Sequence, residues 1–139
     1  MKKKLNERAG FTLIEILIAL TLLAIAGTFV GLKTMEALHE GKVNSAKIQI
    51  SNFEAALDDF ARDNGRYPKT AEGLDALISN PGSLKNYREG GYLKKDALPV
   101  DPWQNEYVYV SADGNKYQII SYGSDGEEGG EGKQADITN

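Results

Sequence analysis

The chain has 139 residues, no cysteine, one histidine and a formal charge of −4. Lack of cysteine rules out disulfides and thiolate chemistry, and a lone histidine leaves common zinc sites and cysteine–histidine nucleophiles without their partners. Removing the first ten residues, which hold four of sixteen basic groups and one of twenty acidic ones, leaves 12 against 19, a charge of −7. Such a chain lacks the basic face that phosphate neutralisation needs, so nucleic acid is not an expected partner.

The first segment is a basic leader carrying Lys2, Lys3, Lys4 and Arg8, and residues 11–32 then read FTLIEILIALTLLAIAGTFVGL with Glu15 as the only charge. About twenty apolar residues rising ~1.5 Å each span the ~30 Å hydrocarbon core of a bilayer as a helix. The basic leader predicts a cytoplasmic start and an outward-facing remainder. An ordinary secretory signal peptide is the competing reading, with Ala24, Ile25 and Ala26 as an A-x-A cleavage site before Gly27. Two features oppose it. A carboxylate in the apolar run costs roughly 2.5 to 3.5 kcal/mol on insertion scales, and helical patterning continues beyond Gly27.

Past Leu32 the chain turns polar but keeps a helical period. Ala46, Ile50, Phe53, Leu57 and Phe60 alternate intervals of four and three, widened by Ala56 and Ala61. No proline interrupts residues 11–63, and Asn64, Gly65 and Pro68 supply a stop signal, so one helix of roughly 80 Å is expected. Gly27 and Gly31 mark either a local weak point or a close-packing face. His39 is expected to be solvent-exposed. Asp58 and Asp59, adjacent on the helix, point apart and are expected on a solvated face.

The remainder reads as a small α+β cap. Thr70 is placed to cap a short helix with Leu74, Leu77 and Ile78 inward, ended by Asn80, Pro81 and Gly82. Trp103, after Asp101 and Pro102, reads as a packed turn. Two strands, residues 107–110 and 116–122, flank a turn holding Asp113, Gly114 and Asn115, and their apolar face is expected on the Phe53, Leu57 and Phe60 stripe. The tail from Asp125 to Asp136 holds five carboxylates and four glycines against Lys133 alone. It is either a solvated, disordered segment or a loop neutralised by a hard cation, with calcium favoured by oxygen-only donors and flexible wrapping. Spacing mimics an EF-hand only superficially, since the fifth position is Gly129, a strand precedes the loop and three residues follow it. There is no G-x-x-x-x-G-K-[ST] and no helix-opening G-x-G-x-x-G, and paired carboxylates such as Asp58 with Asp59 point apart on a helix, so an enzyme is not expected.

Gly10, Phe11, Thr12, Leu13, Ile14 and Glu15, behind a short basic leader and ahead of an apolar run, resemble the class III signal of type IV pilins and pseudopilins. RDNGRYP (62–68), TAEGLDAL (70–77), EGGYLKK (89–95), DPW (101–103) and SYGSDGEEGGEGKQADI (121–137) extend the likeness over nearly the whole chain to the major pseudopilin family of type II secretion, the general secretion pathway G family. The chain departs from that pattern at Leu32, where many relatives carry proline.

The resemblance implies a type IV pilin-like α+β fold, one long N-terminal helix on a small antiparallel sheet and loop. It divides the chain into a cleaved leader (1–10), a transmembrane and assembly helix (11–32) and a periplasmic domain (33–139) with a calcium-binding loop (122–138). It implies cleavage between Gly10 and Phe11 by a prepilin peptidase, with methylation of the new Phe11 amine. Glu15 is then expected to neutralise the amine of a neighbouring subunit, or to serve its own chain's amine and orphan N–H groups. Calcium falls to the carboxylates of Asp125 and Asp136 with the Tyr122 carbonyl, and Glu131 and Thr138 are candidates to complete the shell. Glu54 and Asp58 are expected to meet Lys94 or Lys95 of an adjacent subunit.

The function so implied is the structural major subunit of a periplasmic pseudopilus that promotes export of folded proteins across the outer membrane. The subunit is single-pass in the inner membrane before assembly, in contact with membrane lipid. Its partners are further copies of itself in a helical filament, minor pseudopilins, an inner-membrane assembly platform and a cytoplasmic ATPase. The alternatives are a type IV pilin or minor pseudopilin subunit, or a signal-peptide-cleaved soluble periplasmic calcium-binding protein.

Overall fold

The computed structural model describes residues 10–82, 84–94 and 96–139. The leader's basic residues and Lys95 lie outside them. The chain divides into two compact units, Met1–Leu38 and His39–Asn139.

Helix α1 runs Leu13–Asn64. In the first unit every described residue is exposed, and the helix is long and apolar enough to cross a membrane. Among the described residues of this unit the only neutral side-chain donors are hydroxyls, and those on the helix are satisfied within it. Thr21, Thr28 and Thr34 donate to the carbonyls of Leu17, Ala24 and Val30 at 2.8, 3.1 and 2.9 Å. That arrangement carries no orphan donor into hydrocarbon. Helical structure is unbroken through Gly27, Gly31 and Leu32, and a Cβ at either glycine would meet nothing within 4 Å.

In the second unit α1 buries Ala46, Ile50, Phe53, Ala56, Leu57 and Phe60, the stripe expected from the alternating period, with Ala61 only half-buried. These residues form one core with Leu74, Ala76, Leu77, Tyr109, Ile119 and Ile137. Phe53 meets Tyr107 and Phe60 meets Tyr92 edge-on, each pair at 5.2 Å between ring centroids. Full burial of such side chains contributes about 1.5 to 3 kcal/mol each. The helix ends where the sequence places its stop. Gly65 (φ 78°) donates to the Ala61 carbonyl at 2.7 Å, and Asn64 donates to the Phe60 carbonyl and to the Tyr92 hydroxyl.

The cap departs from expectation in three places. Thr70 caps no helix. Its hydroxyl accepts from the Ser111 amide at 2.8 Å and donates to the Ser111 carbonyl at 3.0 Å, tying the segment to the end of strand β1 (Val108–Val110). The helix that follows is a single 3-10 turn, Leu74–Leu77, with Leu74 and Leu77 buried and Ile78 half-buried, entered through Gly73 at φ 63°. Glu72, one residue earlier, accepts the Lys69 amide and a bidentate Arg66 pair at 2.6 and 2.7 Å. That guanidinium holds the Glu72 carboxyl below the usual carboxylate range.

The strands are also shorter than the sequence predicts. β1 pairs antiparallel with β2 (Gln118–Ser121), Tyr109 opposite Ile119, and a third strand that periodicity did not reveal, β3 (Ile137–Thr138), pairs with β2, Ser121 opposite Ile137. Asn139 prolongs that ladder by accepting the Ile119 amide at 2.9 Å and donating to its carbonyl at 3.3 Å. His39, finally, is half-buried rather than exposed. Its ring sits 6.2 Å from that of Trp103, which also lies 5.9 Å from the Lys42 ammonium.

Candidate functional site

The first site is the start of α1. Gly10, Phe11 and Thr12 precede the helix, all exposed, so the Gly10–Phe11 bond lies in non-helical, accessible chain. Thr12 and Glu15 form a reciprocal cap. The Glu15 amide donates to Thr12 Oγ1 at 3.3 Å, and the Thr12 amide donates to Glu15 Oε2 at 3.3 Å. In the single chain, then, Glu15 serves its own backbone, one of the two roles open to it from sequence. Both bonds it accepts are at Oε2; among the described residues Oε1 takes none.

The second site is the acidic loop between β2 and β3. Its two ends are cross-tied by Ser124, whose hydroxyl donates to the Lys133 carbonyl at 3.1 Å. Asp136 Oδ2 accepts the Gly129 amide at 2.9 Å, and Gly130 (φ 90°) packs so tightly on Gln134 that any Cβ would collide with its carbonyl. Asp125 is exposed and accepts the Glu127 amide at 3.3 Å; Tyr122 is half-buried; Glu131 and Thr138 are exposed. Asp136 Oδ1 is buried without a hydrogen-bond partner. An orphaned carboxylate oxygen in a loop of oxygen donors fits a hard cation. Among the described residues no three acidic or histidine side chains converge on one point, so a cation here would need carbonyl oxygens beside its carboxylates.

The loop is rooted in residues that sequence reasoning did not single out as functional. Asp101, 1% exposed, accepts the amides of Trp103 and Asn105 at Oδ1 (2.9 and 2.8 Å) and the Ser121 hydroxyl at Oδ2 (2.6 Å). Asn105 donates to the Gly123 carbonyl at 3.1 Å. The signal for them was an aspartate directly before a proline, a side-chain turn signature.

The acidic helix face is less uniform than expected. Asp58 is exposed and accepts the Tyr67 hydroxyl at 3.0 Å, whereas Asp59 is half-buried and pairs with Arg62 (2.7 Å) and Arg88 (3.2 Å). Glu54 is half-buried and Lys94 exposed.

Residues 33–139 match the family profile described as type II secretion system, protein G, and residues 5–31 match the prokaryotic N-terminal methylation motif. The chain belongs to the type II secretion system protein G family. Two relatives named type II secretion system core protein G illustrate the likeness. That of Pseudomonas aeruginosa is 44% identical over 96% of each chain, and that of Vibrio cholerae 41% identical over 99% of this chain and 94% of its own. The crystal structure of the major pseudopilin from the type 2 secretion system of enterohaemorrhagic Escherichia coli matches with a TM-score of 0.64 at 33% identity, covering 76% of this chain and 91% of that one. The fold is thus the type IV pilin-like α+β arrangement of the pseudopilins.

Proposed function

We propose that this family member is the major structural subunit of a type II secretion pseudopilus, built by many copies on the periplasmic side of the inner membrane and promoting export of folded proteins. The observation that carries this is the first unit of α1. Its large apolar side chains from Phe11 to Leu38 are all exposed, a state stable only in lipid or against other helices. Before assembly the segment lies in the inner membrane, single-pass, with the second unit in the periplasm.

Prepilin peptidase frees Phe11 by cutting after Gly10, where the accessible, non-helical chain and the matched methylation motif support processing. Glu15 then has two uses in succession. In the lone subunit Oε2 caps the Thr12 amide, and on assembly the carboxylate takes the neighbour's Phe11 amine as counter-ion. An unpaired charge in hydrocarbon is expensive, so the pairing draws subunits together at one register. Nothing in this role requires catalysis by the chain itself. Minor pseudopilins, the assembly platform and its ATPase are the partners such a filament needs.

Asp125 and Asp136, with the Tyr122 carbonyl, would hold calcium in loop 122–138, with Glu131 and Thr138 as candidates to complete the shell. The ion's chemistry there is neutralisation of crowded carboxylates. Mass spectrometry of the mature amino terminus tests the central reading: a methylated Phe11 is expected, and a chain starting at Gly27 would overturn it in favour of a signal-cleaved soluble protein.

A further inference from the structure

Asp101 is a fully buried carboxylate, and burying that charge is costly unless every lone pair is used. Closing the 101–105 turn needs only Oδ1, which accepts the Trp103 and Asn105 amides. Oδ2 reaches twenty residues along the chain to the buried Ser121 hydroxyl. Ser121 is the last residue of β2 and sits immediately before the acidic loop. Its oxygen, fixed by that donation, accepts the Gly123 amide at 3.3 Å. The peptide between Tyr122 and Gly123 is planar and trans, so the direction of the Gly123 N–H sets the opposite direction of the Tyr122 carbonyl.

The next peptide is held from its other end. Asn105 donates to the Gly123 carbonyl, and its amide oxygen lies 3.3 Å from where a Cβ would sit on Gly126, a residue at φ 71°. One side chain of the 101–105 turn therefore brackets Gly123 to Gly126, the stretch that carries Asp125. Neither bracket adds a charge to the loop; both fix orientation.

We propose that Asp101 acting through Ser121, together with Asn105, is a positioning network that presets the Tyr122 carbonyl and the Asp125 segment for a hard divalent cation. It rests on the calcium reading of loop 122–138. None of the three is among the residues assigned to the ion; they act through the backbone that carries those residues. Outer residues of this kind change metal affinity by about 10- to 100-fold when removed.

The test uses the full chain in detergent micelles, titrated with calcium chloride by calorimetry, alongside the melting temperature in chelator. Asn105→Ala and Ser121→Ala are each expected to weaken calcium binding about tenfold. A merely structural network gives the opposite split, a lower calcium-free melting temperature with unchanged affinity in the folded protein, and that result overturns the proposal. Should Ser121→Ala fail to fold, Asn105→Ala decides alone, since its half-buried amide makes one bond to the loop. Absence of calcium binding by the unsubstituted chain is distinguishable from both. It removes the metal reading itself, and the positioning role with it.

Discussion

The two parts of α1 share a hydrogen-bonding pattern and differ in where their apolar side chains go. Up to Leu38 they are exposed on all sides; from His39 onward a stripe of six is buried in the core of its own unit. The apolar side chains of the first part are exposed, so substitutions there should act on membrane residence and assembly. The second part is the wall of a core, so its substitutions act on folding. One helix thus carries two patterns, uniformly apolar in its first part and amphipathic in its second.

The sharpest way to break this comparison is Glu15→Ala. Filament formation and secretion are expected to be lost outright while the subunit still inserts and is still cleaved, because the apolar span only becomes more favourable. Electron microscopy, secretion assays and the mature N-terminus check the three parts separately. Normal filaments would refute the counter-ion role. Loss of the Thr12 cap, worth about 1 kcal/mol at most helix starts, is too small to abolish assembly by itself.

Next in size is Phe60→Ala, which should destabilise the second unit by about 3 to 5 kcal/mol through lost burial and a residual cavity. Leu23→Ala, a comparable truncation of an exposed residue in the first unit, should leave the second unit's unfolding midpoint unchanged. Denaturant unfolding of both variants in micelles checks the contrast, and equal losses would mean that the two units do not fold independently.

A smaller effect is expected at the loop. Calcium that binds only the folded form stabilises it by about 2.7 kcal/mol at a hundredfold excess over its dissociation constant. Calcium should accordingly raise the melting temperature and chelator lower it, and Asp125→Ala should abolish the difference. A calcium-independent melting temperature in the parent would remove the site.

The core also has a signature at high pH. Burial pushes the Tyr107 and Tyr109 hydroxyls up to about 12, with Asp101 adding to the effect at Tyr107 and Glu72 at Tyr109. An acid whose folded pKa is raised stabilises the fold fully below its unfolded value near 10 and loses that contribution as pH rises through the folded one. Unfolding of the second unit should therefore set in between pH 10 and about 12. Tyr109→Phe, which keeps the ring but forgoes the 2.7 Å bond to the Pro68 carbonyl, should move that transition upward while lowering stability at neutral pH.

What sequence could and could not foresee follows from how local each signal is. The Ala46 to Phe60 stripe and the Asn64–Gly65 stop are encoded within a few turns of helix, and both are where the period puts them. β3 is two residues long and owes its existence to pairing with β2 and to Asn139 bonding Ile119, twenty residues away; no periodicity can arise in two residues. Thr70 has a cap among its local options, but its hydroxyl is claimed by Ser111 forty-one residues on. His39 departs from local expectation in the same way, with the Trp103 ring 6.2 Å away from another part of the chain. The site at the start of α1 was legible as a motif, and its reciprocal cap follows from T-x-x-E spacing. The roots of the acidic loop were not, because Asp101, Asn105 and Ser121 meet only once the sheet is formed.

The smallest expected effect tests whether the helix face from Glu54 to Asp58 is a contact between subunits. Asp58 is exposed and accepts one bond, from Tyr67, while Lys94 is exposed elsewhere in the same unit, so each has a charge available to a neighbouring copy. Lys95, the other expected partner, lies outside the described residues. Exposed pairs contribute only about 0.2 to 1 kcal/mol each, which is invisible in the stability of one subunit. A filament repeats the contact at every step, so a small term should still shift the critical concentration for assembly. Asp58→Lys and Lys94→Asp should each weaken assembly, more at low salt than at high salt because screening removes the difference. Asp58→Lys also sacrifices the Tyr67 bond, so Asp58→Asn, which keeps an acceptor for that hydroxyl, separates the local from the intersubunit part. Combining the two charge reversals should restore assembly if the residues face one another. A double variant no better than either single one would assign Asp58 to its own chain and leave the intersubunit contact to other residues.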